Sequence, residues 1–425
     1  MDHLRSLLGM IVLLGIAVLL SNNRRKIKIR TVLVGTAIQL ALGVILLWWQ
    51  PGNQAFRWFA GKVYEFLMLS QVGVNFLFGE LGSPKNYAQY GTQVALIITS
   101  TIIFFSAFTA ILYFLGIMQR VVESIARFMR WAMRASGAES LSCAAEIFLG
   151  HTESPLLIRP FLEGLTQSEL FTIMVGGLAT IAGGVMASYM SLGIPATHLM
   201  AASVMSAPAA IVIAKIMFPE TEHPVTAGDA RLPKLKLYEN VLDAAAKGTT
   251  DGLKLAANVL AMLISFLALL ALADYILGWA DGLIDGKILG GAFNATSGYD
   301  GVFPGRLAVI FGALFRPLAY LIGVPWSEAA TVGNLLGIKI TANEFISYIK
   351  LSELIKSGAL SERAITIATY CMCGFANFGS VGIQIGGIGS LAPGRRSDLA
   401  RLGIKALIGG TLASYMTGTI AGLLI

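Results

Sequence analysis

From Gly137 to Gly184 the chain reads GAES…GHTESPLL…SELFTI…GGLATIAGG, and from Pro325 to Gly382 it reads PWSEA…TANEFISY…SERAITI…CGFANFGSVG. The two stretches share one plan. A leading glutamate (Glu139, Glu328) is followed 14 and 16 residues later by a second (Glu153, Glu344), set near Gly, Pro or Asn. A Ser-Glu pair comes next, then a Gly-x-Ala-polar motif inside the following apolar run. A repeated, glycine-interrupted, glutamate-bearing unit within apolar sequence is the mark of a secondary transporter with its solute site between the halves.

The rest of the chain fits that class. Charged residues make up 13% of it and hydrophobic ones 56%, and mean hydropathy is +0.72, more than a soluble core of this length requires. Uncharged runs occupy Thr31–Trp49, Gly91–Met118, Leu170–Ala214, Leu255–Ala273, Ala364–Gly394 and Ala406–Ile425. A helix of about 20 residues spans roughly 30 Å, so the longer runs hold two spans or a break. The first apolar run, Leu7–Leu20, is preceded by Asp2 and His3 and followed by basic residues. That order is the reverse of a signal peptide, and a retained first helix is expected.

The net charge of +7 is not a nucleic-acid signal. Arg24, Arg25, Lys26, Lys28 and Arg30 fill one short loop; Arg120, Arg127, Arg130 and Arg134 line one segment; Arg395, Arg396, Arg401 and Lys405 flank the last run. Placing all three groups on the cytoplasmic side puts both termini outside. Cys143, Cys371 and Cys373 show no disulfide or metal spacing. The last two are expected on different sides of one helix.

Spans are expected near 4–21, 31–49 and 92–117, with an external segment at 50–90 that includes an amphipathic helix around Phe56–Leu69. Residues 119–134 set arginines against an apolar face and suit a helix at the inner membrane surface. The segment Ala138–Leu162 carries Glu139, Glu146, His151, Glu153 and Pro155. It is too polar to face lipid, and a re-entrant hairpin turning at His151–Pro155 fits. Leu170–Ala214 holds two spans joined near Gly193–Thr197, and 218–247 is a soluble-looking loop. A span at 252–275 and a Gly-rich external stretch, Gly278–Gly305, come before the second copy. That copy comprises Leu307–Ile322, a hairpin at Trp326–Leu354, and spans at 363–391 and 402–424. The hairpins fall on opposite sides of the membrane. The fold class is therefore an all-α polytopic membrane protein with two re-entrant helical hairpins in an inverted repeat.

A carboxylate at membrane depth costs several kcal/mol unless it is paired or wet. One such Glu has an ordinary explanation as an ion pair or a hairpin-tip residue; two at matching repeat positions beside helix breaks point to a solute site. Carboxylates there accept hydrogen bonds from hydroxyl or N–H groups, which favours a neutral polar solute over an anion. Gly177-Leu-Ala-Thr180 and Gly374-Phe-Ala-Asn377 read as unwound helix turns that expose backbone, against the alternative of close helix packing. Phe375 and Phe378 suit stacking on a flat ring or core packing.

GHTESPLL resembles the Gly-Gln-Thr-Glu motif of the concentrative nucleoside transporters. Gly337-x-Lys339-x-x-x-Asn343-Glu344-Phe345-Ile346-Ser347-Tyr348 resembles that family's G-x-K-x-x-x-N-E-F-V-A-Y signature, and Cys373-Gly374-Phe375-Ala376-Asn377 matches its C-G-F-A-N element. The resemblance runs through essentially the whole chain. It implies about eight transmembrane helices, a homotrimer and inward movement of nucleosides with a coupling cation. A transport domain carrying the hairpins would slide as an elevator against a scaffold. The implied division is scaffold helices at 1–117, a first transport repeat at 118–217, a cytoplasmic loop at 218–247, a scaffold helix at 248–276 and a second transport repeat at 303–425. By the resemblance, Gly150, His151, Thr152, Glu153 and Val185 contact the nucleobase, Glu344, Asn377 and Ser380 bind the ribose, and Phe375 packs beside it.

His151 stands where the family usually has Gln, and Glu146 where sodium-coupled members usually have Asn. Neutral His offers one donor and one acceptor at fixed ring positions, so the preferred base could differ; a simple cap on the hairpin turn is the alternative. The remaining ligands of the implied cation site are the carbonyls of Leu149 and Ile181 and the hydroxyl of Thr180. A carboxylate at Glu146 can ligate sodium or, buried without it, carry a proton. A proton is slightly favoured over sodium, with an ion pair to an arginine of 120–134 as the structural alternative.

The expected function is a cation-coupled (H+ or Na+) nucleoside importer. A permease for a modified nucleoside or free nucleobase on the same fold is the alternative. Neither H-E-x-x-H nor G-x-S-x-G occurs in the chain, so an enzyme is disfavoured, and a passive channel is disfavoured by two opposed hairpins. No cofactor or nucleic-acid partner is expected; the expected partners are nucleoside, coupling cation, membrane lipid and other copies of the chain. A bacterial inner membrane is the expected location.

Overall fold

The computed structural model describes residues 2–82, 93–227, 238–294 and 298–425. Parts of three expected segments, 83–90, 228–237 and 295–297, lie outside the described residues. Among the described residues, regular structure other than helix is limited to a two-residue antiparallel ladder, Phe293–Asn294 with Gly298–Tyr299.

The first region comprises α1 (Asp2–Leu19), α2 (Ile29–Gly43, continued by one wide turn to Trp48), α3 (Gln50–Met68), α4 (Ser70–Phe78) and α5 (Val94–Phe114). Next come the amphipathic α6 (Ile117–Met133), then α7 (Gly137–Ala145) and α8 (Ser154–Leu157), the two arms of the first hairpin. They lead to α9 (Gln167–Ala179), α10 (Gly183–Ser191) and α11 (Ala196–Met217). The long α12 (Val241–Asp281) precedes α13 (Leu307–Ile322), α14 (Trp326–Thr341) and α15 (Glu344–Lys356). The chain closes with α16 (Glu362–Met372), α17 (Phe378–Leu391) and α18 (Arg396–Leu424).

Among the described residues, six segments are long and apolar enough to cross a membrane: Ile29–Trp48, Ala95–Phe114, Gln167–Ser191, Ala196–Met217, Val241–Ile288 and Pro393–Leu424. The bent pair α13–α14 makes seven if it is counted as one span, and α1 and α17 are shorter apolar helices. The α14–α15 hairpin occupies Trp326–Lys356, close to its expected bounds. α13 turns into α14 through a 116° bend at Gly323–Pro325.

The expected unwound turns are present: α9 stops at Ala179 and α10 restarts at Gly183, and the span at 363–391 is interrupted at Cys373–Asn377. Two details differ from expectation. Cys373 lies past the end of the helix that holds Cys371, rather than on another face of it. The loop expected to run to 247 gives way to α12 at Val241, because Asn240 accepts the backbone N–H of Asp243 at 2.9 Å and starts the helix early.

Local chemistry sets the helix starts around the repeats. Ser136 with Glu139, and Thr166 with Glu169, form reciprocal capping boxes at α7 and α9. Asn343, Ser361 and Asn377 cap α15, α16 and α17 through their side-chain oxygens. α18 is the central post, with α1, α9, α11, α16 and α17 packed along it, while α5 packs along α12. Burial follows: 94% of the Gln167–Ser191 window is enclosed, against 11% for that of α12. The outer face of α12 is thus apolar and open, as a lipid- or subunit-facing helix must be.

Candidate functional site

The two helix breaks meet. The Phe375 N–H donates to the Thr180 carbonyl at 3.1 Å, so each unwound segment satisfies a backbone group of the other. Gly374 is required for this approach: a Cβ there would lie 2.9 Å from the carbonyl oxygens of both Leu178 and Ala179.

Beside this junction is a cavity of about 460 Å³, within the roughly 300–1000 Å³ typical of small-molecule sites. Its wall holds all nine residues expected to contact solute: Gly150, His151, Thr152, Glu153, Val185, Glu344, Phe375, Asn377 and Ser380. Glu344 is held from two sides, its Oε1 accepting from Tyr189 Oη at 2.9 Å and its Oε2 from Asn377 Nδ2 at 3.0 Å. Asn377 Oδ1 in turn accepts the Ser380 N–H at 2.8 Å, so one side chain both starts α17 and steadies the carboxylate. Glu153 Oε2 accepts the Gly150 N–H at 3.1 Å across the hairpin tip, and the rest of that side chain is exposed to the cavity.

His151 stands edge-on to Phe375 with ring centroids 4.9 Å apart, and neither ring nitrogen has a protein partner. It does not cap the hairpin turn. Lys339 and Tyr348 of the signature do not face the cavity. Lys339 Nζ donates to the Cys371 carbonyl at 2.8 Å and Tyr348 Oη to the Thr369 carbonyl at 2.7 Å, satisfying the end of α16 where it unwinds.

Glu146 is completely buried. Its Oε1 accepts from Ser142 Oγ and Ser154 Oγ, each at 3.0 Å, while Oε2 has no partner. The carboxylate sits against Gly176, whose carbonyl accepts the Thr180 hydroxyl at 3.0 Å. Among the described residues, no hydrogen bond reaches the carbonyls of Leu149 or Ile181. Glu146 makes no ion pair with the arginines of α6; the buried pair in this region is instead Lys215 with Glu139, at 2.6 Å.

Sequence reasoning missed part of the wall. Leu255, Asn258, Val259, Met262 and Leu263 of α12 line the cavity opposite the hairpins. The only signal there was Asn258, a polar residue inside an apolar span. Tyr189, the second support of Glu344, lay in a span with no motif. Gln384 also went unnoticed: it donates to the Met174 carbonyl at 3.2 Å and shares with His151 the space over Gly177.

Paired helix breaks, two opposed carboxylates and a central cavity in an all-α membrane fold define a secondary transporter for a small polar solute. Comparison with known proteins narrows the class. Residues 198–422 match the family described as "Na+ dependent nucleoside transporter C-terminus", residues 8–81 its N-terminus, and residues 95–196 a "Nucleoside recognition" gate family. An uncharacterized transporter of Haemophilus influenzae is 46% identical, over 100% of this chain and 98% of that protein. Nucleoside permease NupC of Helicobacter pylori is 38% identical, again over 100% and 98%. The structure of CNTnw in an inward-facing, substrate-bound state superposes with a TM-score of 0.91 at 41% identity, covering 100% of this chain and 98% of that one. The chain belongs to the concentrative nucleoside transporter family, a family of membrane transporters and not of enzymes.

Proposed function

We propose that this chain imports nucleosides across a bacterial inner membrane by cation symport, with Glu344, Asn377 and Ser380 on the ribose and Gly150, His151, Thr152, Glu153 and Val185 on the base. The carrying observation is Glu344, fixed between Tyr189 and Asn377 on the cavity wall. A carboxylate with both oxygens oriented can accept the vicinal hydroxyls of a ribose, and a free base lacks them. Phe375 lies in the break beside this group and packs on the sugar or base. Among the described residues no Lys or Arg lines the cavity, which supports an uncharged solute over a phosphorylated one.

The coupling cation is taken up at Glu146. The reading rests on a fully buried carboxylate with one spare oxygen and no cationic partner, and a proton satisfies that oxygen directly. A second reading, sodium, is favoured by the unengaged carbonyls of Leu149 and Ile181 close by in sequence; a carboxylate oxygen, two carbonyls and the Thr180 hydroxyl make a hard-cation donor set. Movement follows the elevator scheme, with repeats 118–217 and 303–425 carried past scaffold helices in 1–117 and 248–276, both termini external. The open apolar face of α12 supports a homotrimer seated in lipid. Uridine and adenosine uptake into proteoliposomes, competed with uracil, adenine and ribose, tests the assignment. Competition by free bases as strong as by nucleosides would overturn the ribose role of Glu344.

A further inference from the structure

A second, smaller cavity of about 190 Å³ adjoins the first, and the two share Glu153, Ala182 and Leu255 in their walls. It continues along the α5–α12 seam, past Ser106 and Thr109 to Tyr113, and past Leu255 and Asp251 to Gly248. Tyr238, just before α12, closes its far side. This is the end of α5 and α12 nearest the arginine-bearing α6 and the loop at 218–240, hence the cytoplasmic end if the basic segments lie inside. Direct packing fixes the seam: a Cβ at Gly248 would lie 2.7 Å from both Ala110 Cβ and the Ser106 carbonyl.

The chemistry of this space is specific. Phe105, Tyr113 and Tyr238 offer aromatic surface. Glu153 and Asp251 are carboxylates, and among the described residues no Lys, Arg or His lines the cavity. The Tyr113 hydroxyl is buried and has no hydrogen-bond partner. A buried hydroxyl left unsatisfied costs about 1–3 kcal/mol, so a passing polar ligand has a reason to stop there. Glu153 and Asp251 accept hydroxyl or N–H donors and disfavour phosphates, the Lys254 ammonium 3.9 Å from Asp251 standing out in solvent.

We propose that this cavity is a release subsite for a neutral nucleoside, held between Tyr113 and Asp251 after it leaves the central site. The inference rests on the transport reading above. About 190 Å³ is below the roughly 300 Å³ of enclosing pockets. A nucleoside therefore enters with one ring, while Glu153, common to both cavities, keeps hold of the other. Glu153 thus serves as the hand-over group between the two positions, and the aromatic surface takes the leading ring by stacking.

The test uses the full chain in proteoliposomes. Thr109→Cys is labelled with a small cationic methanethiosulfonate; the native cysteines are buried and give a low background. Saturating uridine is expected to slow labelling roughly fivefold or more, and uridine monophosphate to leave it unchanged. The double variant Tyr113→Phe/Asp251→Asn is then compared with wild type. Its equilibrium Kd for uridine, set by the central site, stays within about twofold, while its maximal exchange rate falls roughly fivefold or more, the worth of one ordinary hydrogen bond. Unprotected Thr109→Cys, or wild-type exchange by the double variant, overturns the subsite. Failure of the wild-type protein to bind uridine at all instead overturns the transport reading, so the two failures are distinguishable.

Discussion

Asn377→Asp separates two jobs that one side chain performs. Asn377 Oδ1 caps α17 through the Ser380 N–H at 2.8 Å, and Nδ2 donates to Glu344 Oε2 at 3.0 Å. Aspartate keeps the acceptor, and carboxylates are good N-caps that suit the positive end of a helix. The donor is lost, and two buried carboxyl groups then compete for one position. Removing a hydrogen bond to a charged group costs about 1.5–3 kcal/mol. At 1.4 kcal/mol per decade, nucleoside affinity should fall roughly 10- to 150-fold. Asn377→Ala loses the cap as well, worth about 0.5–2 kcal/mol of stability. Calorimetric binding of uridine, paired with thermal unfolding of the same detergent-solubilised samples, reads both effects. The expected pattern is weak binding in both variants with a lowered Tm for alanine alone. Uridine affinity within twofold of wild type in Asn377→Asp would refute the role assigned to the Glu344–Asn377 pair.

Glu146→Gln should abolish accumulation against a gradient while leaving uridine–uridine exchange within about threefold, as a counterflow assay would show; continued gradient-driven accumulation would remove Glu146 from coupling. Gly177→Ala drives a methyl into Gln384 and His151, an overpacking that costs about 1–3 kcal/mol, and it should lower Tm and weaken nucleoside binding together. Lys215→Met leaves Glu139 and Glu220 without their buried cation, so Tm should drop sharply, in line with about 3–5 kcal/mol for breaking a buried pair, with Kd for uridine little changed in the protein that remains folded.

What the sequence disclosed, and what it hid, follows from how far apart the interacting residues lie. The hairpins were legible because Glu and Pro inside apolar runs have few physical explanations at membrane depth. The helix breaks were legible because Gly177–Gly184 and Gly374–Ser380 cluster glycine with polar residues. The α12 wall was hidden because Leu255–Ala273 reads as an ordinary lipid-facing span, and apart from Asn258 the residues turned to the cavity are apolar. Tyr189 supports Glu344 from 155 positions away, a contact that only the packed fold creates. Lys339 is a signature residue whose partner is a backbone carbonyl, so its type gave no hint that it holds α16 together rather than touching solute. Glu146 and His151 were found because they depart from the family pattern, yet their partners, two serine hydroxyls and the edge of Phe375, came only with the structure.

The central claim, nucleoside symport with the cation at Glu146, is tested most directly by labelled uridine and adenosine uptake into proteoliposomes under an imposed pH gradient or sodium gradient, with Glu146→Gln in parallel. The account expects accumulation above the external concentration under the pH gradient for the wild-type protein, and equilibration without accumulation for the variant. Sodium-driven accumulation that also disappears in the variant would keep Glu146 and make it a metal ligand. Accumulation of nucleoside by the variant under either gradient would contradict the account.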